Sequence, residues 1–179
     1  MRKIYSILLA SVFTVAYFFS TAFAFYPRTL MNGDLICVDG GQGVGKYADR
    51  TSVVVKKYNP PYYQIAINIV PVSFSEEYFK NHRTYDGGPY TIHSPWVIQF
   101  RYNWNTKVVS YLRSGVWLDW DINRDYSHAE GAPLIPTAAE VAFVSAYDMK
   151  FYGNKMGYSP VQKKRVRVIS DNLYTSLGL

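Results

Sequence analysis

Val53-Val54-Val55-Lys56-Lys57-Tyr58-Asn59-Pro60-Pro61-Tyr62-Tyr63-Gln64-Ile65-Ala66-Ile67-Asn68-Ile69-Val70 is the stretch that decides the fold class. β-Branched residues dominate its first part. Beyond the prolines, Tyr63, Ile65, Ile67 and Ile69 alternate with Gln64, Ala66, Asn68 and Val70, the period of two that gives a strand one apolar face. Asn59-Pro60-Pro61 between the two runs spells a turn, because proline presets its own backbone angle and cannot donate to a ladder. Strands joined this briefly are antiparallel neighbours, since a parallel pair needs a crossover of roughly a dozen residues.

The same period returns downstream. Trp96, Ile98, Phe100 and Tyr102 alternate with Val97, Gln99, Arg101 and Asn103. Asn103-Trp104-Asn105 turns the chain into a strand at Lys107–Arg113, and Ser114-Gly115 turns it again into Val116–Asp121, a three-stranded meander. Residues 73–93 break the pattern around Asp86-Gly87-Gly88-Pro89 and read as a loop, with a helical turn near Glu76–Phe79.

The spacing predicts a helix over 137–152. Thr137 serves as N-cap, Glu140 completes a capping box, and Gly153 stands at the C-terminal stop. Phe143, Tyr147 and Phe151 share one face, while Glu140 and Lys150 reach solvent. Arg165–Ser170 adds an edge strand. The expected architecture is therefore α+β, an antiparallel sheet of five or six strands with the late helix packed on it.

Residues 1–24 read as a secretory signal peptide. Arg2 and Lys3 precede an uncharged apolar run from Ile4 to about Phe19, and Ala22-Phe23-Ala24 gives the small-x-small pattern for cleavage between Ala24 and Phe25. The rival reading is an uncleaved anchor, the one route by which this chain would hold to a membrane. Ser11, Thr14, Ser20 and Thr21 dilute the run against the roughly 20 apolar residues of a spanning helix. The expected mature chain is a single domain over 25–179, placed in the periplasm, the cell envelope or outside the cell.

The net charge of +6 is unevenly spread. Two of the 19 basic residues lie in the leader, leaving 17 against 13 acids. From Lys150 onward six basic residues (Lys150, Lys155, Lys163, Lys164, Arg165, Arg167) face one acid, Asp171. The basicity is thus a C-terminal segment, 150–167, suited to an anionic polymer, a lipid headgroup or a protein partner, or simply to solvent. Nucleic acid is not expected as a partner outside the cell. The lone cysteine, Cys37, lies between Ile36 and Val38, excludes an internal disulfide and reads as a buried small hydrophobe.

Three constellations invite chemistry. Gly40-Gly41-Gln42-Gly43-Val44-Gly45-Lys46 matches a phosphate-loop spacing, but Tyr47 stands where Ser or Thr must hold magnesium and no helix pattern follows. A glycine-rich hairpin loop accounts for it better, and no nucleotide is expected. Asp119, Asp121, Asn123, Ser127 and Glu130 fall at calcium-loop positions, with Asp125 between them; Arg124 takes the place of the turn glycine, and a strand rather than a helix enters the loop. Calcium is the one cofactor this spacing suggests. A polar connection rich in turn-forming residues is the plainer reading.

Catalytic groups are sparse. His82, His93 and His128 show no metal-ligand spacing, and no serine sits in a nucleophile elbow. Glu76, Glu77, Asp119 and Asp121 are the carboxylates from which a glycosidase pair would be drawn. These absences weigh against an enzyme. Aromatic residues make up 17% of the chain; rings such as Trp117 at strand positions can form platforms for sugars or peptides, although the preference of Tyr and Trp for half-wet strands accounts for most of them.

The segments DRTSVVVKKYNPPYYQIAINIV, FRYNWNTKVVSYL and TAAEVAFVSAYDMKFYG resemble an arrangement seen in small exported bacterial proteins of unknown function. The resemblance runs from Asp49 to Gly153. It implies a single domain of strands followed by a helix and implies no activity, and the acidic run Asp119–Asp125 is not a fixed part of it. The function expected from all this is a non-enzymatic exported module that binds an envelope or extracellular partner. The alternatives are a calcium-stabilised domain and a small secreted hydrolase.

Overall fold

The computed structural model describes residues 25–120, 134–159 and 163–179. In chain order these form β1 (Thr29–Leu30), β2 (Leu35–Gly41), β3 (Val44–Asn59), β4 (Tyr62–Phe74), α1 (Glu76–His82), β5 (Tyr90–Ile92), β6 (Trp96–Asn103), β7 (Val108–Arg113), β8 (Val116–Trp120), α2 (Leu134–Tyr147), β9 (Met156–Ser159), β10 (Lys164–Arg167) and α3 (Asp171–Leu177). A single 3-10 turn, Met31–Gly33, links β1 to β2. Strands β1 to β8 make one sheet in the order β1-β2-β3-β4-β6-β7-β8, with β5 also paired to β4. Every pairing in it is antiparallel.

The hairpin predicted from the alternation is the spine of this sheet. β3 and β4 pair from Val44↔Ser73 to Asn59↔Tyr62, and the Pro60–Pro61 bond at the tip is cis. Two irregularities interrupt the pairing, between Asp49 and Val54 and between Val55 and Lys57. At the first, the Asp49 carboxylate accepts from Thr51 N at 2.9 Å. Ser52 Oγ accepts from Asn68 N, also at 2.9 Å, so side chains replace ladder bonds that the bulge removes.

Alternation gives the sheet two faces with different fates. Ile36, Ile65, Ile67, Ile69, Phe100 and Tyr102 form the main core with α2. On the reverse face, Tyr26, Cys37, Tyr47, Val72, Phe74 and Tyr85 form a second cluster under the N-terminal segment and the region of α1. Phe143 of α2 is the hub of the main core. It is fully buried, with its ring 5.1 Å from Tyr102 and 5.3 Å from Tyr63.

The α+β class, with an antiparallel sheet and a late helix packed on it, is as expected; among the described residues the sheet has eight strands, six longer ones as anticipated plus the two- and three-residue β1 and β5. Several expectations need revision. The late helix starts and stops earlier than 137–152. Pro136 sits in its first turn, where a missing N–H costs nothing, so Thr137 is a buried position inside the helix rather than its N-cap. The chain then reverses at Asp148 (φ 54°), and Phe151 returns to Phe143 from that turn, ring centroids 5.1 Å apart.

Glu140, expected at the surface, is fully buried. The loop over 73–93 carries a full helix, α1, capped by Ser75 whose Oγ accepts from Tyr78 N. The C-terminal strand pairs with β9 in a separate two-stranded hairpin instead of lying at the edge of the main sheet. Among the described residues no helix is long and apolar enough to cross a membrane.

Candidate functional site

Among the described residues, the reverse face of β6, β7, β8 and the Tyr62–Asn68 part of β4 has no second layer comparable to the cluster around Tyr26, which takes Val70, Val72 and Phe74 from the rest of β4. Register brings Lys57, Gln64, Arg101, Ser110 and Asp119 into one row across five strands, a span of about 19 Å at normal strand spacing. Ala66 and Gln99 are partners in the next row, where Val54 pairs with Ala66 and Leu112 with Trp117. Lys57, Arg101 and Asp119 are exposed, and Gln64, Gln99, Ser110 and Trp117 are half-buried.

These side chains hold one another in place. The Arg101 guanidinium lies over the Trp117 ring, 3.8 Å from its centroid, a cation–π contact that fixes a long side chain on a flat surface. Gln64 Nε2 donates to Gln99 Oε1 at 3.3 Å. Ser110 Oγ donates to Asp119 Oδ1 at 2.6 Å. Among the described residues Arg101 has no acidic partner; the ion pairs there are Lys46–Asp39 and Arg167–Asp171. Exposed Tyr62, Val97 and Val108 border the polar row. The arrangement offers a planar cation, amide donors and acceptors and an indole on one open surface.

No family model, curated protein or solved structure matches this chain. The reading of the site therefore rests on its own geometry. Trp117 was visible in the sequence as a strand-borne aromatic. Arg101, Gln64, Gln99 and Ser110 were not singled out, although the polar half of each alternating strand was their signal.

The other sequence-derived candidates fall elsewhere. Of the calcium set, Asp119 is on the sheet face, whereas Asp121, Asn123, Ser127 and Glu130 lie outside the described residues. Within the described residues no three of His, Cys, Asp and Glu are grouped to hold a metal ion. Residues 1–24, expected as a leader, with Ala24 at the predicted cut, also lie outside them; Phe25, the first described residue, packs edge-on against Phe79 at 5.4 Å. Glu76 and Glu77 begin α1 just beyond Phe74, while Asp119 is in the row of Gln64, so much of the length of β4 separates them. Asp121, the fourth carboxylate, is outside the described residues.

The glycine-rich run closes the β2–β3 hairpin through Gln42 and Gly43, both at positive φ. Its glycines make room for rings. A Cβ on Gly40 would come within 2.7 Å of Tyr26, and one on Gly45 within 2.7 Å of Tyr47. Lys46 pairs with Asp39 across the hairpin. Cys37 is buried, as its apolar neighbours predicted, and burial pushes its thiol up to about 12, far from a reactive thiolate.

His93 Nε2 meets Ser73 Oγ at 2.7 Å on the surface, with no carboxylate bonded to the ring among the described residues. His82 Nδ1 is 2.9 Å from the carbonyl of Tyr78 in its own helix.

Glu140 is the buried charged residue among those described. Desolvation raises its pKa, opposed by bonds from the Tyr152 N–H and the Tyr174 hydroxyl and by the charge of Lys107. Perturbed acids often mark active sites. Here Tyr152 N donates to one carboxylate oxygen at 3.0 Å and the Tyr174 hydroxyl to the other at 2.8 Å. With both oxygens engaged by the protein inside the core, Glu140 acts as a tether.

Proposed function

We propose that the chain is an exported, non-enzymatic binding module of the cell envelope or extracellular space, and that it binds through the reverse face of β6, β7, β8 and the Tyr62–Asn68 part of β4, which no second layer covers among the described residues. The observation that carries this reading is the Arg101–Trp117 pair, a cation held over an indole on an open face with no acidic partner among the described residues. A surface arginine needed only for solubility has no reason to be ordered on a ring, because ordering a long side chain costs rotamer entropy. The leader supplies the export half of the reading.

A binding role is favoured over hydrolysis by the distribution of the acids. Asp119 is bonded to Ser110 on the open face, Glu76 accepts from the Tyr85 hydroxyl near the β2–β3 turn, and Glu140 is enclosed. No two of these carboxylates flank a common cleft, as acid–base work on a glycosidic bond requires.

Retention of the purified protein on an envelope fraction is the test. Retention that Arg101→Gln or Trp117→Ala abolishes supports the reading. Retention unaffected by both variants places binding elsewhere, and no retention of the wild type removes the reading.

A further inference from the structure

Resting on the sheet-face reading above, we infer that the occupant of this face is an acidic polysaccharide, a glycan chain carrying carboxylates. The face supplies side chains only. Where the strands pair, the backbone N–H and C=O groups are taken up by the ladders; those on the outer side of β8, last in the strand order among the described residues, lie in the plane of the sheet and not on its face. A peptide laid on it would lose water from its own backbone groups without finding ladder partners, which are available at a sheet edge and not on a face.

A sugar brings hydroxyls that both donate and accept. The face meets them with the same mixture in one row: the Gln64 amide, the Ser110 hydroxyl and the Asp119 carboxylate, with Gln99 alongside. Trp117 adds an indole whose surface suits the apolar side of a pyranose ring.

Charge selects an acidic glycan over a neutral one. Arg101 and Lys57 share the row with a single acid, Asp119. That acid lies on β8, the strand of the row farthest from Lys57, and accepts from Ser110 on β7. The guanidinium over Trp117 is a planar fork matched to a carboxylate, which it can take in two parallel hydrogen bonds. A carboxylate at Arg101 and hydroxyls over the two glutamines satisfy the row from a single sugar chain running across the strands.

Calorimetric titration of the whole protein with polygalacturonate, with its fully methyl-esterified neutral form and with polyglutamate tests the inference. Polygalacturonate is expected to bind, and the neutral ester and the acidic peptide at least about tenfold more weakly. Arg101→Gln and Trp117→Ala are each expected to weaken polygalacturonate binding about tenfold. The double variant Lys164→Gln, Arg165→Gln, in the separate C-terminal hairpin, is expected to leave it unchanged.

Equal binding of polyglutamate would overturn the glycan assignment in favour of an acidic peptide. Loss of binding in the hairpin variant, with none in Arg101→Gln, would overturn the site. Absence of polygalacturonate binding, together with envelope retention that still depends on Arg101, would overturn this inference while leaving the broader binding reading in place.

Discussion

Glu140 on α2 accepts a hydrogen bond from the hydroxyl of Tyr174 on α3 at 2.8 Å. The same carboxylate accepts from Tyr152 N, so one side chain fastens both the turn after α2 and the C-terminal helix to the core. Tyr174→Phe removes the hydroxyl and leaves a buried carboxylate short of a donor. It is expected to destabilise the fold by about 1–3 kcal/mol, measured by urea denaturation. A loss below the error of the melt would mean that α3 is held by its apolar contacts, Leu173 and Leu177, alone.

The same acid gives a pH dependence of known sign. Burial raises the Glu140 pKa, so the folded state binds this proton more tightly than the unfolded chain. The associated stabilisation is complete below the ordinary glutamate range and is lost as pH rises through the folded-state value. Glu140→Gln, which resembles the protonated acid, lacks that loss. Between pH 4 and 7, roughly the window above an unperturbed glutamate, the stability of the wild type relative to the variant is expected to fall. Parallel denaturation series read it; a gap that widens in favour of the wild type would reverse the sign.

Gly45→Ala tests whether the glycine-rich run exists to seat rings. Its new Cβ would meet Tyr47 at 2.7 Å and Phe74 at 3.2 Å. Tyr47 cannot easily withdraw, being fully buried with its hydroxyl donating to the carbonyl of Pro27 at 2.8 Å. Overpacking of this kind is expected to cost about 1–3 kcal/mol. A thermal melt of the variant equal to that of the wild type would show that the hairpin yields freely.

Much of this molecule was legible before its structure, and the failures have a common cause. The alternation at Tyr63–Val70 located the central hairpin, and Ser114-Gly115 located a tight turn whose two residues both adopt positive φ, because these signals are local. Thr137 and Glu140 misled because a capping box is also local: the helix already starts at Leu134, and Glu140 is enclosed by partners from the turn after α2 and from α3, the latter distant in sequence. The polar row across the open face was hidden for the same reason. Arg101, Ser110 and Asp119 are ordinary polar strand positions until the registers of three strands align them.

Beyond Arg50, β3 pairs with β4 on one side and has no strand on the other among the described residues. The bulges of this segment and the charges of Lys56 and Lys57 are devices that keep such an edge from recruiting another chain. Lys56→Thr with Lys57→Thr is expected to leave folding stability within about 0.5 kcal/mol and to produce concentration-dependent association in sedimentation velocity. A variant that stays monomeric would assign edge protection to the bulges alone.

Arg101 and Tyr102 are consecutive residues whose side chains leave β6 on opposite faces, and their energetic roles should separate accordingly. Tyr102 is buried against Phe143, with its hydroxyl donating to the carbonyl of Ala139 at 2.9 Å. Tyr102→Ala is expected to cost about 3–5 kcal/mol through the cavity and the lost bond. Arg101→Gln gives up one exposed cation–π contact and is expected to cost no more than about 1 kcal/mol. Urea melts of the two variants test the division directly. If Arg101→Gln costs as much as Tyr102→Ala, the Arg101–Trp117 pair is a structural brace and the open face loses its claim to be a binding surface. If the costs separate as expected, any binding lost with Arg101 belongs to the face and not to the fold.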